Sequence, residues 1–172
     1  MKELYDIAIK LMRELMLKHE CAMVICQAIG FNGFKRWHRH RSKKFMCWGI
    51  GLANELFDNY RKSAAFTSMP GAYTASSLQE HLASWDSCLE KAIQEFADLS
   101  KQFLEKTGQL NCFIEKALCC LQKDREKTRR WFTRFQESNW SSHDMHYVDD
   151  ALHEKEKKKE KKEHARKAHD PY

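Results

Sequence analysis

The segment His38-Arg39-His40-Arg41-Ser42-Lys43-Lys44-Phe45-Met46-Cys47-Trp48 is dense in side chains that could do chemistry. Two histidines near a cysteine are metal-ligand types, and six lysines and arginines between Lys35 and Lys44 could form a patch for an anion. A metal-binding pair on one helix uses residues three or four apart, because those share a face. His38 and His40 are two apart. On the helical wheel they fall about 100° and 60° away from the apolar stripe of their helix. This predicts a solvated basic surface rather than a metal site.

The seven cysteines, at positions 21, 26, 47, 88, 112, 119 and 120, contain no C-x-x-C pair. A structural zinc site wants two closely spaced ligand pairs, and the spacing offers none. In a reducing compartment such cysteines are expected to act as small core hydrophobes.

The elements that must position these residues are helical. Only two prolines and six glycines occur among 172 residues, and hydrophobic residues make up 42% of the chain. Such a composition, poor in valine and in helix breakers, predicts an all-α fold. A first helix is expected from about residue 2 to 29, with Leu4, Ala8, Leu11, Leu15, Ala22, Ile25 and Ile29 on one face. Gly30-Phe31-Asn32-Gly33 should turn the chain into an antiparallel second helix, about 34–60, whose stripe reads Phe34, Trp37, Arg41, Phe45, Trp48, Leu52, Leu56 and Tyr60.

Residues 61–77 are non-periodic, with a turn at Pro70-Gly71 and a capping box at Ser77 and Glu80. A connection this long could cross the bundle from end to end and leave helices two and three parallel. Helix three is expected over about 78–106, stopped by Gly108, and helix four over about 110–137. A linker at 138–144 leads to a last helical pattern. The chain thus divides into a bundle, 1–137, a linker with a short fifth helix, 138–153, and a charged tail, 154–172.

That tail holds eight lysines and arginines against four glutamates between Glu154 and Lys167, a large share of the net charge of +6. It reads as a solvated charge run. The alternative is a sequence-blind arm for nucleic acid or another polyanion, with Lys157, Lys158, Lys159, Lys161 and Lys162 as the contacts. The amphipathic start, with Glu3 and Asp6 in it, does not resemble a secretory signal, and no window of about 20 apolar residues exists to span a membrane. A cytoplasmic address is expected.

One long crossover among four helices, followed by a short fifth, is the connectivity of ferritin-like bundles. The residues resemble the ferritin family over roughly 4–153. The second helix is similar to the ferritin B helix through Phe34, Trp37, His40, Ser42, Leu52, Leu56 and Asp58. Leu110, Cys112, Phe113, Ile114, Glu115 and Gln122 are similar to the start of the D helix, and residues 145–156 to the E helix. The resemblance implies an iron-storage or iron-handling protein assembled as a homo-oligomer or a mixed shell.

The family oxidises iron at a carboxylate-rich di-iron centre that includes an E-E-x-x-H motif on the second helix. Aligned here, that motif falls on Lys44, Phe45, Met46, Cys47 and Trp48, so Phe45 stands for a glutamate and Trp48 for the histidine. The other ligand positions fall near Lys10–Met12, at Cys88 or Leu89, and at Leu121-Gln122. Asp124 is the one acid on an inward stripe near mid-helix. It is the candidate metal ligand, or else it is hydrogen-bonded to Thr128, Arg41 or another partner. No catalytic residue is expected, and iron is implied by the resemblance alone. The competing expectation is a non-metal interaction bundle with a basic tail.

Overall fold

In the computed structural model, residues 1–60 and 74–169 are described, and among them every regular element is an α-helix. The first helix, α1, spans Lys2–Ala28 and buries Leu4, Ala8, Met12, Leu15, His19, Ala22 and Cys26, at steps of three and four. The buried face therefore passes through Met12 and Cys26 rather than Leu11 and Ile25, and it includes His19. A stripe wider than about 100° admits neighbours of the residues that mark it.

The turn after α1 is a left-handed cap. Gly30 has φ +86°, the Gly30 N–H donates to the Gln27 carbonyl, and the Phe31 N–H donates to the Cys26 carbonyl at 2.8 Å. This pattern satisfies carbonyls that the ending helix would otherwise leave open. It also anchors the backbone of Cys26. The chain enters α2, Asn32–Tyr60, at once and runs back along α1.

Helix α3, Leu78–Thr107, opens on the expected Ser77 cap, whose hydroxyl accepts from the Glu80 N–H at 3.2 Å. Glu80 reaches back to the N–H and hydroxyl of Ser76, one residue before the cap. Gly108, at φ +70°, ends the helix as expected. Asn111 caps α4, Cys112–Glu137, by accepting from the N–H groups of Phe113 and Ile114. Leu110 consequently lies outside the helix and is exposed.

Contacts between helix ends fix the topology. Tyr5 near the start of α1 packs on Tyr60 at the end of α2 and on Phe103 near the end of α3. At the opposite end, His38 early in α2 meets His81 in the first turns of α3. Helices α2 and α3 are therefore parallel, and the connection between them joins opposite ends of the bundle. The Pro70-Gly71 turn lies outside the described residues.

The fifth helix, α5, spans Ser142–His169 and continues through the Lys/Glu run without a break at 153. It docks on the start of α2. The Asp149 carboxylate accepts from the Phe34 N–H at 2.9 Å, and Arg36 pairs with Glu160 at 2.7 Å. Gly33 permits the close approach: a Cβ there would sit 1.9 Å from the Asp149 carbonyl oxygen. Leu152 and Glu156, on either side of residue 154, are both buried, so packing holds the first turns of the charged run in helix.

Candidate metal centre

The middle of the bundle is apolar. Phe45 is fully buried with Leu15, Leu89 and Leu121, and its ring meets Trp48 edge-on at 5.3 Å. Trp48 itself is half-buried against the core. Glu90, the acid nearest the expected α3 position, is exposed and pairs with Arg125 of α4. Glu14 is half-buried on the border of α1, next to Lys10.

Asp124 is fully buried and turned toward Arg41. The Arg41 Nη2 donates to Oδ1 at 2.7 Å, and Nε lies 2.6 Å from Oδ2. Cys120 adds a thiol donor to Oδ2 at 3.7 Å, while the Thr128 hydroxyl donates to the backbone carbonyl of Asp124, not to its side chain. Arg41 thus ends inside the protein, against the indole of Trp37, rather than in solvent. Burial, reinforced by the Asp124 carboxylate, pushes the Cys120 thiol up to about 11.

One turn of α1 and two turns of α2 away from this apolar middle lies a polar cluster. His19 and His38 approach through their Nδ1 atoms at 2.9 Å. His38 Nε2 lies 3.0 Å from His81 Nε2, which in turn lies 3.6 Å from the Cys26 sulfur. All four side chains are fully buried and come from three helices. Among the described residues, Cys26, His38 and His81 are the group of three or more potential ligands whose donor atoms converge, all within 4.8 Å of one another.

The walls are aromatic. Trp85 lies 4.6 Å from His19 and 4.7 Å from His38, Phe45 stacks on His19 at 5.5 Å, and Trp37 meets His38 at 4.6 Å. So apolar a shell disfavours charge. Burial lowers His38 well below the usual histidine range, and the nearby His81, His19 and Arg41 add to the effect. Burial, then Arg41 and His81, does the same to His19, and burial alone takes His81 to about 4. The Cys26 thiol is pushed up to about 12, by burial first and then by Asp149.

These positions correct the reading of the His-Arg-His motif as a solvated surface. His38 is four residues after Phe34 and seven before Phe45, so it belongs to the buried ladder of α2. His40 follows Gly33 by seven and Arg36 by four, which places it on the face that α5 covers, and it too is buried. His38 does not have His40 as its partner. Its neighbours come from α1 and α3, where His19 fills the gap between Leu15 and Ala22 and His81 lies four before Trp85. A histidine on the stripe of three separate helices was the signal available in the sequence.

The candidate polyanion contacts lie on α5. Lys157, Lys158, Lys161 and Lys162 are exposed, whereas Lys159 is half-buried and pairs with Glu156 at 2.5 Å. Lys127 of α4 is lowered by burial and then by Arg41, Lys155 and Lys159, so the basic face of α5 adjoins that of α4.

No family model matches the sequence, and comparison with curated proteins finds no match. Solved structures do match. A humanized archaeal ferritin superposes with a TM-score of 0.76 at 11% identity, over 88% of this chain and 94% of that one. An open-pore ferritin from the hyperthermophilic archaeon Archaeoglobus fulgidus gives 0.74 at 8% identity, over 89% and 96%. An apo-ferritin from Pseudo-nitzschia multiseries gives 0.72 at 9% identity, over 87% and 96%. The chain has a ferritin-like fold. This ferritin-like bundle carries a Phe45–Trp48 contact and an Arg41–Asp124 ion pair around its middle, with the histidine cluster displaced toward one end. None of its described helices is long and apolar enough to cross a membrane.

Proposed function

We propose that this chain is a ferritin-like subunit for iron storage or handling that carries no ferroxidase centre of its own. The observation that carries the reading is the occupancy of the bundle middle. A di-iron centre needs several hard, bridging carboxylates. Here Phe45 and Trp48 stand at the motif positions, and Asp124 is committed to Arg41. The residues present do not fit a carboxylate-bridged pair of irons, and the role proposed for Asp124 is structural. Iron is cargo in this reading, and its oxidation falls to catalytic partner subunits or to the solvent.

Assembly into a homo-oligomeric or mixed shell is part of the proposal. Met46, Ile50 and Phe57 are exposed on α2 at helical spacing, and Ile7 is exposed on α1. Between the two helices runs a groove lined by Ile9, Met16, Met46, Ile50 and Ala53. A second copy of the chain would cover this apolar face. Seven unpaired cysteines support a reducing compartment such as the cytoplasm.

Aerobic loading with Fe(II), followed by light scattering and elemental analysis, tests the reading. A large assembly that retains many irons per chain, without rapid oxidation saturating at two irons per chain, is the expected outcome. A small, iron-free species sinks it. A fast two-iron phase removes the claim that no oxidation centre is present.

Lys155 and Lys159 of α5 lie beside Lys127, and Lys157, Lys158, Lys161 and Lys162 are exposed on the same helix, which favours a second reading, an interaction bundle whose basic surface holds a polyanion. Binding to duplex DNA that weakens steeply with salt, and fails when Lys157, Lys158, Lys161 and Lys162 become glutamate, supports it. Salt-independent binding, or none, removes it.

A further inference from the structure

We propose that His38 Nε2, His81 Nε2 and Cys26 Sγ bind one zinc-class metal ion inside the bundle, with His19 orienting His38 from behind. The inference stands apart from iron storage, because the donors, position and metal class differ from those of a carboxylate di-iron centre.

The spacing of the donors carries the argument. Ligand distances of about 2.0–2.1 Å for nitrogen and 2.3 Å for sulfur put two nitrogens of a tetrahedral zinc site roughly 3.3 Å apart, and a nitrogen and sulfur roughly 3.6 Å apart. The two Nε2 atoms are 3.0 Å apart and the Nε2–Sγ separation is 3.6 Å. The third pair, His38 and Cys26, closes the group within 4.8 Å, so an ion is seated when the two rings part slightly and His38 and Cys26 draw together around it. Two imidazoles and a thiolate select a borderline or soft cation, Zn²⁺ foremost, over Fe³⁺, which prefers oxygen.

The surroundings supply what a metal ligand needs. A ligating histidine holds its other ring nitrogen against a partner that sets its tautomer. His38 does so through Nδ1, 2.9 Å from His19 Nδ1. With His38 Nδ1 protonated toward His19, His38 Nε2 presents its lone pair toward His81. Burial keeps the rings neutral, which is the metal-binding form, so protons do not compete at neutral pH. The thiol is different: its proton must leave as the ion enters, and binding therefore releases one proton per chain. The Schellman turn at Gly30 holds Cys26 in the last turns of α1, and the aromatic shell closes the site off from bulk solvent. The three protein donors leave a fourth position, which one water carried in with the ion would fill.

The test uses the full chain, refolded from denaturant in metal-free buffer with or without Zn²⁺ and then freed of excess metal by gel filtration. One zinc per chain and a raised Tm are expected. Refolding with Co²⁺ should give the intense visible bands of a four-coordinate ion and a thiolate-to-cobalt charge-transfer band. Cys26→Ser should remove the charge-transfer band, and His38→Gln or His81→Gln should remove the bound metal. His19→Gln should retain the cobalt spectrum with about 10–100-fold weaker affinity. A chain in which the other six cysteines are serine should keep the full spectrum, which covers the case in which Cys26→Ser fails to fold. Absence of stoichiometric metal, a six-coordinate cobalt spectrum, or loss of the thiolate band in that single-cysteine chain overturns the proposal and leaves a metal-free chain of hydrogen-bonded histidines.

Discussion

Arg41 and Asp124 are two charges withdrawn from water, and each has the other as its main compensation. Removing one partner of such a pair strands the second, at a cost of about 3–5 kcal/mol, whereas replacing both by apolar groups of similar volume is often neutral or better. Asp124→Ala should therefore lower the unfolding free energy by that amount in urea titrations, and Arg41→Met with Asp124→Leu should recover most of it. A loss no greater than about 1 kcal/mol for the single variant, typical of exposed pairs, would show that water reaches the pair. The histidines make a residue-scale prediction for the chelator-treated protein. A histidine whose folded pKa lies below its unfolded value binds fewer protons when folded. Its contribution is complete above about pH 6.5 and is lost as the pH falls toward the folded value. His81, at about 4, accounts for a loss on the order of 3 kcal/mol across that window. His19 and His38 shift in the same direction and add to it. Denaturant midpoints measured from pH 7 to pH 4 should fall accordingly, and His81→Gln should flatten the profile.

The helices themselves differ in what holds them. Helices α1 to α4 bury broad apolar faces against one another, whereas α5 adds only Val148 and Leu152 to the buried core and is otherwise joined to α2 by the Asp149 carboxylate on the Phe34 N–H, an ion pair and a glycine contact. The α5 contact should therefore be sensitive to one methyl group. Gly33→Ala would drive a Cβ into the Asp149 carbonyl, and backbone cannot swing aside as a side chain can. The expected result is a loss of about 1–3 kcal/mol, with faster amide exchange concentrated in α5 and the start of α2. Unchanged exchange in α5 would mean that the helix is held elsewhere. Gly51 offers the comparison, since its Cβ would meet the Phe113 ring, a side chain that can turn. Gly51→Ala should cost less than Gly33→Ala.

For the molecule as a whole, Met46, Ile50 and Phe57 form an exposed apolar stripe on α2 among the described residues. If a second copy covers it, Ile50→Glu combined with Phe57→Glu should yield a smaller species by light scattering, with circular dichroism and Tm close to those of a folded bundle. An unchanged assembly would place the contact on another face. The substitutions lie outside the histidine cluster, so zinc binding should survive dissociation. That separates the shell from the metal site: either can fail without the other.

The sequence by itself determined the number and most boundaries of the helices, the caps at Ser77 and Gly108, and the end-to-end connection between α2 and α3, because these depend on periodicity, turn chemistry and loop length. It also placed Arg41 among the partners open to Asp124, beside Thr128, since both fell on inward stripes and a buried carboxylate needs a partner. The histidine–cysteine cluster was not legible in the same way. Its four residues are scattered over positions 19 to 81, and each alone reads as one polar residue near an apolar face. A helical wheel says roughly which side a residue faces, but not how far along its neighbour it will land. That axial register is set by packing α1, α2 and α3 together, and α5 then closes over the face that holds His40. Only the tertiary structure brings His19, His38, His81 and Cys26 to one point, because their convergence depends on how three helices are offset against one another.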